Sequence, residues 1–483
     1  MAENQAAGAF VFESAEGETS PASTRLSEAG PKGGPPANSP VGSVLYDEHL
    51  KLTDKSHVAE FAGYLMPLWY SSIGEEHSAV RQRAGVFDCT HMGALEVTGP
   101  NAESFLDAVT TNNVRTLQVG SAQYSYLLDA AGNVLDDIII YRRDKEKFMV
   151  VVNASNEPKA KAYLAALQAG RTAIDLAKPD RKIMTAPVRD MRDTKTGPDC
   201  RVDIALQGPA SPDILCKLAD ASVGQQIKGL KSFTFCQAKL ANIDCIISRT
   251  GYTGAKVCFE LFVHPKDAAK LWQKLIDAGA LPCGLGARDS LRVEAGLPLY
   301  GHELDGPYNI SPFEAGYGWA VKLDKEFFIG KAAMEKIANT WHGLPARGNT
   351  AKMAVPPMKV ARLELSGEKG VRPVRQNDAV ISPPLARPRP PLCSEAGDGV
   401  CVGWVLSSSF AKATEDRSAT AGTRQIALVY MDKDKATEGN SVDVYYLARS
   451  ESQVSKGRKQ AVEKGERITG DIQGKVISRF EKF

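Results

Sequence analysis

An aspartate pair stands at the start of a strongly hydrophobic segment. Asp136 and Asp137 directly precede three isoleucines at 138–140. Since neighbouring residues of a β-strand face opposite sides of a sheet, we expect one carboxylate to point inward and the other toward solvent. A desolvated carboxylate can act as a general acid or base, whereas a turn cap beside a solvated charge would be purely structural. The pair by itself leaves both interpretations open.

Two further segments carry residues suited to ligand binding. Residues 248–254 read S-R-T-G-Y-T-G, and glycines on both sides of Tyr252 let the backbone approach a ligand and present an aromatic face for stacking. A predicted helix at 286–295 carries Arg288 and, one turn later, Arg292. A guanidinium there can bind a carboxylate bidentately or form an ordinary surface salt bridge. The segments at 312–316 and 318–321 suit a core as well as a site.

Composition argues against several classes of function. The chain has 483 residues and a formal net charge of +2, so no global basic field attracts nucleic acid or an anionic membrane. No apolar run approaches the ~18 residues of a membrane helix. Nine cysteines without a C-x-x-C spacing and seven histidines without an H-E-x-x-H motif predict neither a disulfide framework nor a metal site.

Hydrophobic periodicity predicts the elements that must position these residues. Strands are expected at 124–128, 137–141, 148–152, 202–207, 244–249 and 257–263. Helices are expected at 101–109, 156–170 with Asn156 as N-cap, 265–279 and 286–295. Without regular βαβ alternation, the fold class is α+β with mostly antiparallel sheets.

The two ends of the chain differ from this central part. Residues 1–42 are rich in Gly, Pro, Ala, Ser and Glu, which predicts a disordered tail. This tail matches neither a mitochondrial presequence nor a secretory signal, so we expect a bacterial cytoplasmic protein. Strand-like segments at 360–365, 401–406, 426–431 and 442–447 predict a small all-β domain, with low-complexity insertions at 382–392 and 411–423.

Taken in order, several segments resemble the aminomethyltransferase family, the T proteins of the glycine cleavage system. They are FAGYLMP at 61–67, GVFDCTHMG at 85–93, LQGP at 206–209, SRTGYTG at 248–254, ARDSLRVEAG at 287–296 and ISPFEAG at 310–316. The resemblance covers roughly residues 43–340.

The resemblance implies three domains around a central opening that holds tetrahydrofolate. Residues 43–345 would form the catalytic region of two interleaved α+β domains, and 346–483 a C-terminal β-barrel. The family's catalytic carboxylate corresponds to Asp137. Its folate-contacting positions correspond to Met92, Asn153, Tyr252, Glu260, Arg288 and Trp319. The partner would be the lipoyl-bearing H protein, which delivers an aminomethyl group on sulfur, and the enzyme would be a monomer without a metal.

The sequence departs from the family pattern at three places. The usual G-G before the aspartate pair is Gly132-Asn133 here. The segment between Gly254 and Glu260 is one residue longer than usual, and the family's C-terminal P-F segment is reduced to Arg479 and Phe480. A folate-binding branch that serves iron–sulfur protein maturation carries K-G-C-Y-T-G-Q-E at this turn, unlike S-R-T-G-Y-T-G. A branch fused to a flavin domain would need a fingerprint that this chain lacks. A non-catalytic module that binds folate or H protein is the remaining alternative.

Overall fold

A computed structural model describes residues 39–341, 358–365, 372–383, 399–412 and 423–480. The α-helices are α1 (Tyr46–His49), α2 (Ile73–Gln82), α3 (Ala102–Val109), α4 (Glu157–Gln168), α5 (Ser211–Leu218), α6 (Ala221–Gly229), α7 (Pro265–Asp277), α8 (Leu285–Ala295), α9 (Lys331–Trp341) and α10 (Glu451–Val454).

The strands of the first two thirds of the chain are β1 (Val41–Gly42), β2 (Val58–Phe61), β3 (Tyr64–Pro67), β4 (Gly85–Asp88), β5 (Gly93–Thr98), β6 (Ala122–Leu128), β7 (Val134–Asp144), β8 (Lys147–Val152), β9 (Val188–Asp190), β10 (Val202–Gln207), β11 (Phe235–Leu240), β12 (Ile243–Ser248), β13 (Cys258–Val263) and β14 (Leu281–Cys283). The remaining strands are β15 (Met358–Leu365), β16 (Ala379–Ser382), β17 (Gly399–Lys412), β18 (Thr423–Asp432), β19 (Ser441–Tyr445), β20 (Arg467–Ile468) and β21 (Ile472–Ile477).

The first large sheet is antiparallel and has the order β6-β7-β8-β5-β9. Alternate residues of its strands, such as Ile138, Ile140 and Val150, pack in one core with α3 and α4. In α3 the apolar residues Phe105 and Leu106 occupy the buried face, as the helical period requires. Helices α3 and α4 therefore cover this face of the sheet.

The second large sheet has the order β11-β12-β13-β10-β4-β14. Its pairings are antiparallel except for β14 with β4, which are parallel. Its core face packs on α5, α6 and α7, with Trp272 and Leu271 of α7 fully buried. Strand β4 precedes the whole first sheet in the chain, so the two units are interleaved.

The opposite faces of these two sheets contact each other through β7, β8 and β11 to β13. Tyr141 of β7 lies edge-to-face with Phe235 and Phe262, at ring-centroid distances of 5.7 and 5.3 Å. Met149 and Ile246 are buried in the same cluster. Residues on these two facing surfaces are the ones that can meet in a shared cleft.

The C-terminal strands form a closed antiparallel barrel in the order β16-β19-β21-β15-β18-β17, with β17 pairing back to β16. Strand β20 adds to β17. Buried aliphatic residues such as Leu363, Val405 and Val429 fill its interior. The α+β class, the mostly antiparallel sheets and the C-terminal barrel are confirmed.

Boundary details differ from the predictions in places. Residues 39–42 of the predicted tail are described, and Val41 and Gly42 pair with β3, so ordered structure starts before residue 43. The earlier part of the tail and most of the predicted insertions lie outside the described residues. The strand predicted at 401–406 extends over Gly399–Lys412, because its hairpin pairing with β18 continues through a polar stretch. The domain limits 43–345 and 346–483 stay predictions.

Candidate active site

The two aspartates of β7 face opposite sides of the first sheet. Asp136 is 0% exposed and shares its face with Ile138 and Ile140, toward the helices. Asp137 is half-buried and shares its face with Ile139 and Tyr141, toward the second sheet. The predicted alternation is right, but the outer carboxylate lies on the face that packs against the second sheet and is only partly open to solvent.

Asn153, at the end of β8, holds both carboxylates. Its Nδ2 donates to Asp136 Oδ1 at 2.8 Å and to Asp137 Oδ1 at 2.9 Å. Its backbone N–H donates to Asp136 Oδ2 at 3.0 Å. Asn156 occupies the N-cap position of α4 without making a side-chain cap, because its Nδ2 donates to Asp136 Oδ1 at 2.6 Å instead. The pair is thus fixed by amides that follow the neighbouring strand.

Burial raises the pKa of both carboxyl groups above the ordinary aspartate value. The charge of Asp137 adds to the rise at Asp136, while donors from Asn153 and Asn156 oppose it. At Asp137 the opposing donors are the Tyr124 hydroxyl and the Asn153 amide. A carboxylate with a raised pKa is a better base than a solvated one, which suits proton transfer near neutral pH.

An aromatic wall of Tyr124, Tyr317 and Trp319 lies beside Asp137. The Tyr124 hydroxyl donates to Asp137 Oδ2 at 2.9 Å. Its ring centroid is 5.6 Å from that of Tyr317 and 5.8 Å from that of Trp319. Trp319 is 53% exposed, and Phe480 packs edge-to-face on Tyr317 at 5.4 Å. This wall offers stacking surface that reaches from the carboxylate to the rim.

A second group, formed by Tyr252, Glu260 and Arg288, lines a small cavity on the second sheet. The Arg288 guanidinium lies 5.4 Å from the Tyr252 ring centroid, and its Nη1 donates to Cys89 Sγ at 3.0 Å. Glu260 Oε2 accepts from Tyr141 Oη at 3.0 Å and from Thr250 Oγ1. The cavity therefore combines a cation, a carboxylate and an aromatic ring.

The turn that carries Tyr252 depends on both of its glycines. Gly254 has a φ of +74°, which favours glycine. A Cβ at Gly251 would collide with the side chains of Gln207 and Cys258. The Tyr252 hydroxyl donates to Pro298 O at 2.5 Å, which ties the turn to the segment after α8. Despite the longer segment before Glu260, its side chain still reaches the same cavity as Tyr252.

Met92 lies between the two groups. It is half-buried and packs both on the cluster that contains Ile139 and on the cluster that contains Phe87 and Cys89. The Asp137 carboxylate also contributes to raising the pKa of the Tyr252 phenol, after the larger effect of burial. The seven residues singled out from the sequence thus form two neighbouring groups with Met92 between them.

Within the described residues the Arg288 guanidinium forms no salt bridge. Burial disfavours its charge, but nearby Cys89, Tyr252 and acidic side chains outweigh that effect and raise its pKa. It therefore remains a cation and can still donate hydrogen bonds to an acceptor on a ligand. An aromatic wall, a half-buried carboxylate and this cation fit a flat, hydrogen-bonding ring system such as that of a reduced folate.

Arg292, the second arginine of α8, is a structural residue. It is 1% exposed and donates to Glu303 Oε2 at 2.6 Å, Asp289 Oδ1 at 2.8 Å and Ser407 Oγ at 2.9 Å. These contacts join α8 to the following loop and to the barrel strand β17. Of the two arginines, only Arg288 lines the cavity.

Sequence reasoning missed Tyr124, Cys89 and Asn156 as parts of the site. Tyr124 could have been found from hairpin register, because Tyr126 pairs with Asp137 and Tyr124 lies two residues away on the same face. Cys89 and Asn156 gave no such signal, since their partners Arg288 and Asp136 lie in distant segments.

Comparisons with known proteins agree with this architecture. The family described as the GCVT N-terminal domain matches residues 45–325. An aminomethyltransferase from Streptomyces avermitilis is 43% identical over 307 residues, which cover 62% of this chain and 75% of that protein. An aminomethyltransferase from Symbiobacterium thermophilum is 36% identical over 417 residues, covering 84% of this chain and 93% of that protein. The crystal structure of glycine cleavage system aminomethyltransferase T from Bartonella henselae superimposes with a TM-score of 0.65 at 26% identity, covering 91% of this chain and 98% of that chain. The similarity extends from the two sheets into the barrel.

Proposed function

Because this chain belongs to the aminomethyltransferase family that carries the GCVT N-terminal domain, we propose that the cleft between its two sheets binds tetrahydrofolate. The enzyme is an aminomethyltransferase of the glycine cleavage type. It transfers the methylene of the aminomethyl group on dihydrolipoyl H protein to tetrahydrofolate, giving 5,10-methylenetetrahydrofolate and ammonia.

The observation that carries this proposal is the burial and hydrogen bonding of the Asp137 carboxylate. Its carboxylate is half-buried at the cleft, and each oxygen accepts one fixed donor, Asn153 Nδ2 or Tyr124 Oη. Tetrahydrofolate, when bound, supplies the two nitrogens that end up bridged by the transferred carbon. Asp137 is oriented to accept a proton at the cleft and to return one to a leaving group, a role typically worth ~10²–10⁴-fold in rate.

The other predicted residues have binding roles in this proposal. Glu260 and Arg288 offer an acceptor and a donor to the polar edge of the ring system, and Tyr252 lies against the same cavity. Trp319 extends the stacking surface toward the rim. Asn153 contributes its carbonyl oxygen to the cleft, because its Nδ2 is engaged by the two aspartates.

The partner in this proposal is the lipoylated H protein. This partner is supported by the relative from Bartonella henselae, which is named as aminomethyltransferase T of the glycine cleavage system. Among the described residues no helix is long and apolar enough to cross a membrane. We place the enzyme in the bacterial cytoplasm as a monomer that meets H protein transiently.

A transfer assay tests the proposal with purified protein, tetrahydrofolate and aminomethyl-loaded H protein. We expect folate-dependent ammonia release, and a loss of about 10²-fold or more in kcat for Asp137→Asn, since the amide cannot accept the proton. Asp144→Asn, an exposed change on the same strand, should behave as wild type. A wild-type protein that binds tetrahydrofolate but releases no ammonia would instead identify a non-catalytic folate-binding module.

A further inference from the structure

Asp136 is a buried carboxylate to which the proposed mechanism gives no task. It is 0% exposed, lies on the helix-facing side of β7 and does not reach the cleft. A buried carboxylate is costly unless donors compensate it. Three donors converge on Asp136: the backbone N–H of Asn153, the side chain of Asn153 and the side chain of Asn156. All three come from the segment that follows β8.

These contacts determine which way the Asn153 amide points. Its nitrogen contacts Asp136 Oδ1, Asp137 Oδ1 and, at 3.1 Å, the carbonyl oxygen of Asp137. All three are oxygen acceptors, so the NH₂ group must face them and the carbonyl oxygen must face away. If Asp136 no longer accepted, the amide could rotate about its terminal torsion, which has a broad energy minimum. Asp137 would then lose the donor that fixes its Oδ1.

We propose that Asp136, together with Asn156, is a positioning residue that fixes the Asn153 amide and thereby the orientation of the Asp137 carboxylate. Asp136 contacts no substrate and acts only through Asn153. The inference rests on the proposed function, since it assumes that Asp137 transfers the proton.

Several charged and titratable groups surround Asp136. Asp137 adjoins it on β7 and interacts with it electrostatically, as does Lys159 of α4. The Tyr300 hydroxyl lies between Lys159 and Asp305. Lys159 Nζ donates to Tyr300 Oη at 2.7 Å, and burial lowers the pKa of Lys159 against the opposing charges of Asp136 and Asp305. When the Asn153 amide turns away, Asp137 loses a donor to its ionised form. The pKa of Asp137 should therefore rise, and the acidic limb of the pH profile should move to higher pH.

The principal test is Asp136→Asn in the full chain, with kcat, KM and the pH profile of kcat/KM measured in the transfer assay. We expect kcat to fall about 10-fold or more with a smaller change in KM for tetrahydrofolate, since misplacing a reacting group lowers turnover. The acidic limb should move to higher pH, as expected when the ionised Asp137 loses a donor. A crystal structure of the variant should show the Asn153 amide rotated.

Two further variants keep the test decisive. Asp136→Asn/Asn156→Asp exchanges acid and amide and should recover part of the lost kcat. If Asp136→Asn does not fold, Asn156→Ala removes the 2.6 Å donor alone and should lower kcat severalfold. Asp144→Asn serves as the control for removing a charge from β7.

The outcomes separate the inference from the proposed function. Full activity in Asp137→Asn would refute the proposed function itself. A collapse in Asp137→Asn, together with wild-type kcat and pH profile in folded Asp136→Asn or Asn156→Ala, would overturn the inference. A lower melting temperature with unchanged kinetics would give Asp136 a purely structural role, which also overturns it.

Discussion

At the scale of single residues, the hydroxyl of Tyr124 is the contact of Asp137 most open to a conservative test. It donates to Asp137 Oδ2 and so favours the ionised carboxylate, against the effect of burial. The phenol itself has a raised pKa because of burial and the nearby Asp137 charge, so it stays a donor at physiological pH. The basicity of Asp137 is therefore set by a neighbour on the adjacent strand.

Tyr124→Phe should move the acidic limb of the kcat/KM profile to higher pH. Loss of the donor raises the pKa of Asp137, so a higher pH is needed to ionise it. Hydrogen bonds to charged groups are worth about 1.5–3 kcal/mol, which corresponds to a shift of about one pH unit or more. The control is Tyr163→Phe on α4, which removes a hydroxyl that donates a hydrogen bond to Leu128 O. It should leave the pH profile unchanged. A shift to lower pH in Tyr124→Phe would contradict this account.

The catalytic role of Asp137 stays a prediction from the sequence, which does not show the surroundings of that carboxylate. Alternation along β7 correctly separated the two aspartates, because the period of a strand is local. The other side of this region is formed by the second sheet. Its residue Glu260, which accepts a hydrogen bond from Tyr141 of the first sheet, lies more than a hundred residues further along the chain. No local pattern reports such contacts. The roles assigned to Met92, Asn153, Tyr252, Glu260, Arg288 and Trp319 stay predictions.

At the scale of secondary-structure elements, α8 serves both the cavity and the barrel. Arg288 near its start lines the cavity, while Arg292 one turn later is buried against Glu303 and Ser407. Glu303 is 0% exposed, and the Arg292 charge opposes the effect of burial and keeps its pKa low. A helical period of 3.6 residues turns both arginines toward neighbouring parts of the protein. Only the residues that each arginine contacts show which of the two lines the cavity.

Arg292→Leu should lower the free energy of unfolding by about 3–5 kcal/mol, because Glu303 would remain buried without its cation. Urea denaturation measures the change. Arg292→Leu/Glu303→Leu should recover part of the loss, since the uncompensated charge is gone. Arg115→Leu removes the exposed arginine paired with Asp107, which keeps its ion pair with Lys325, and should cost less than about 1 kcal/mol. Equal losses for Arg292→Leu and Arg115→Leu would show that the buried pair has no special weight.

Elements with strong local signals were predicted well. Strand β10 was predicted with its observed limits, because an apolar run ends at the turn-forming Gly208 and Pro209. Asn156 occupies the predicted N-cap position, but its side chain does not cap the helix, since its amide nitrogen donates to Asp136 on another strand. This long-range contact fixes the amide, and the sequence around Asn156 does not show it.

At the scale of the whole molecule, the proposed folate site joins separate parts of the chain. Asp137 and Tyr124 belong to the first sheet and Glu260 to the second. Trp319 belongs to a later segment that contacts the barrel. In this segment Glu314 accepts a hydrogen bond from the barrel residue Tyr430 at 2.6 Å. A ligand that contacts these residues together should stabilise the assembled fold.

Tetrahydrofolate should therefore raise the melting temperature. At 100 times the dissociation constant, linkage adds about 2.7 kcal/mol to the stability of the folded state. Differential scanning calorimetry with and without ligand measures the shift, and Glu260→Gln should reduce it at a fixed ligand concentration. The unchanged melting temperature of wild type at saturating tetrahydrofolate would contradict binding in this cleft.

The interleaving of the two sheets sets an order of events while the chain is synthesised. Strand β4 leaves the ribosome before every strand of the first sheet, but its partners β10 and β14 come after that sheet is complete. At ~5–20 residues per second, Val86 and Phe87 wait on the order of ten seconds for β10. During that interval a hydrophobic strand with unpaired edges can pair with the wrong partner. We therefore expect chaperones that bind nascent chains to assist the folding of this protein.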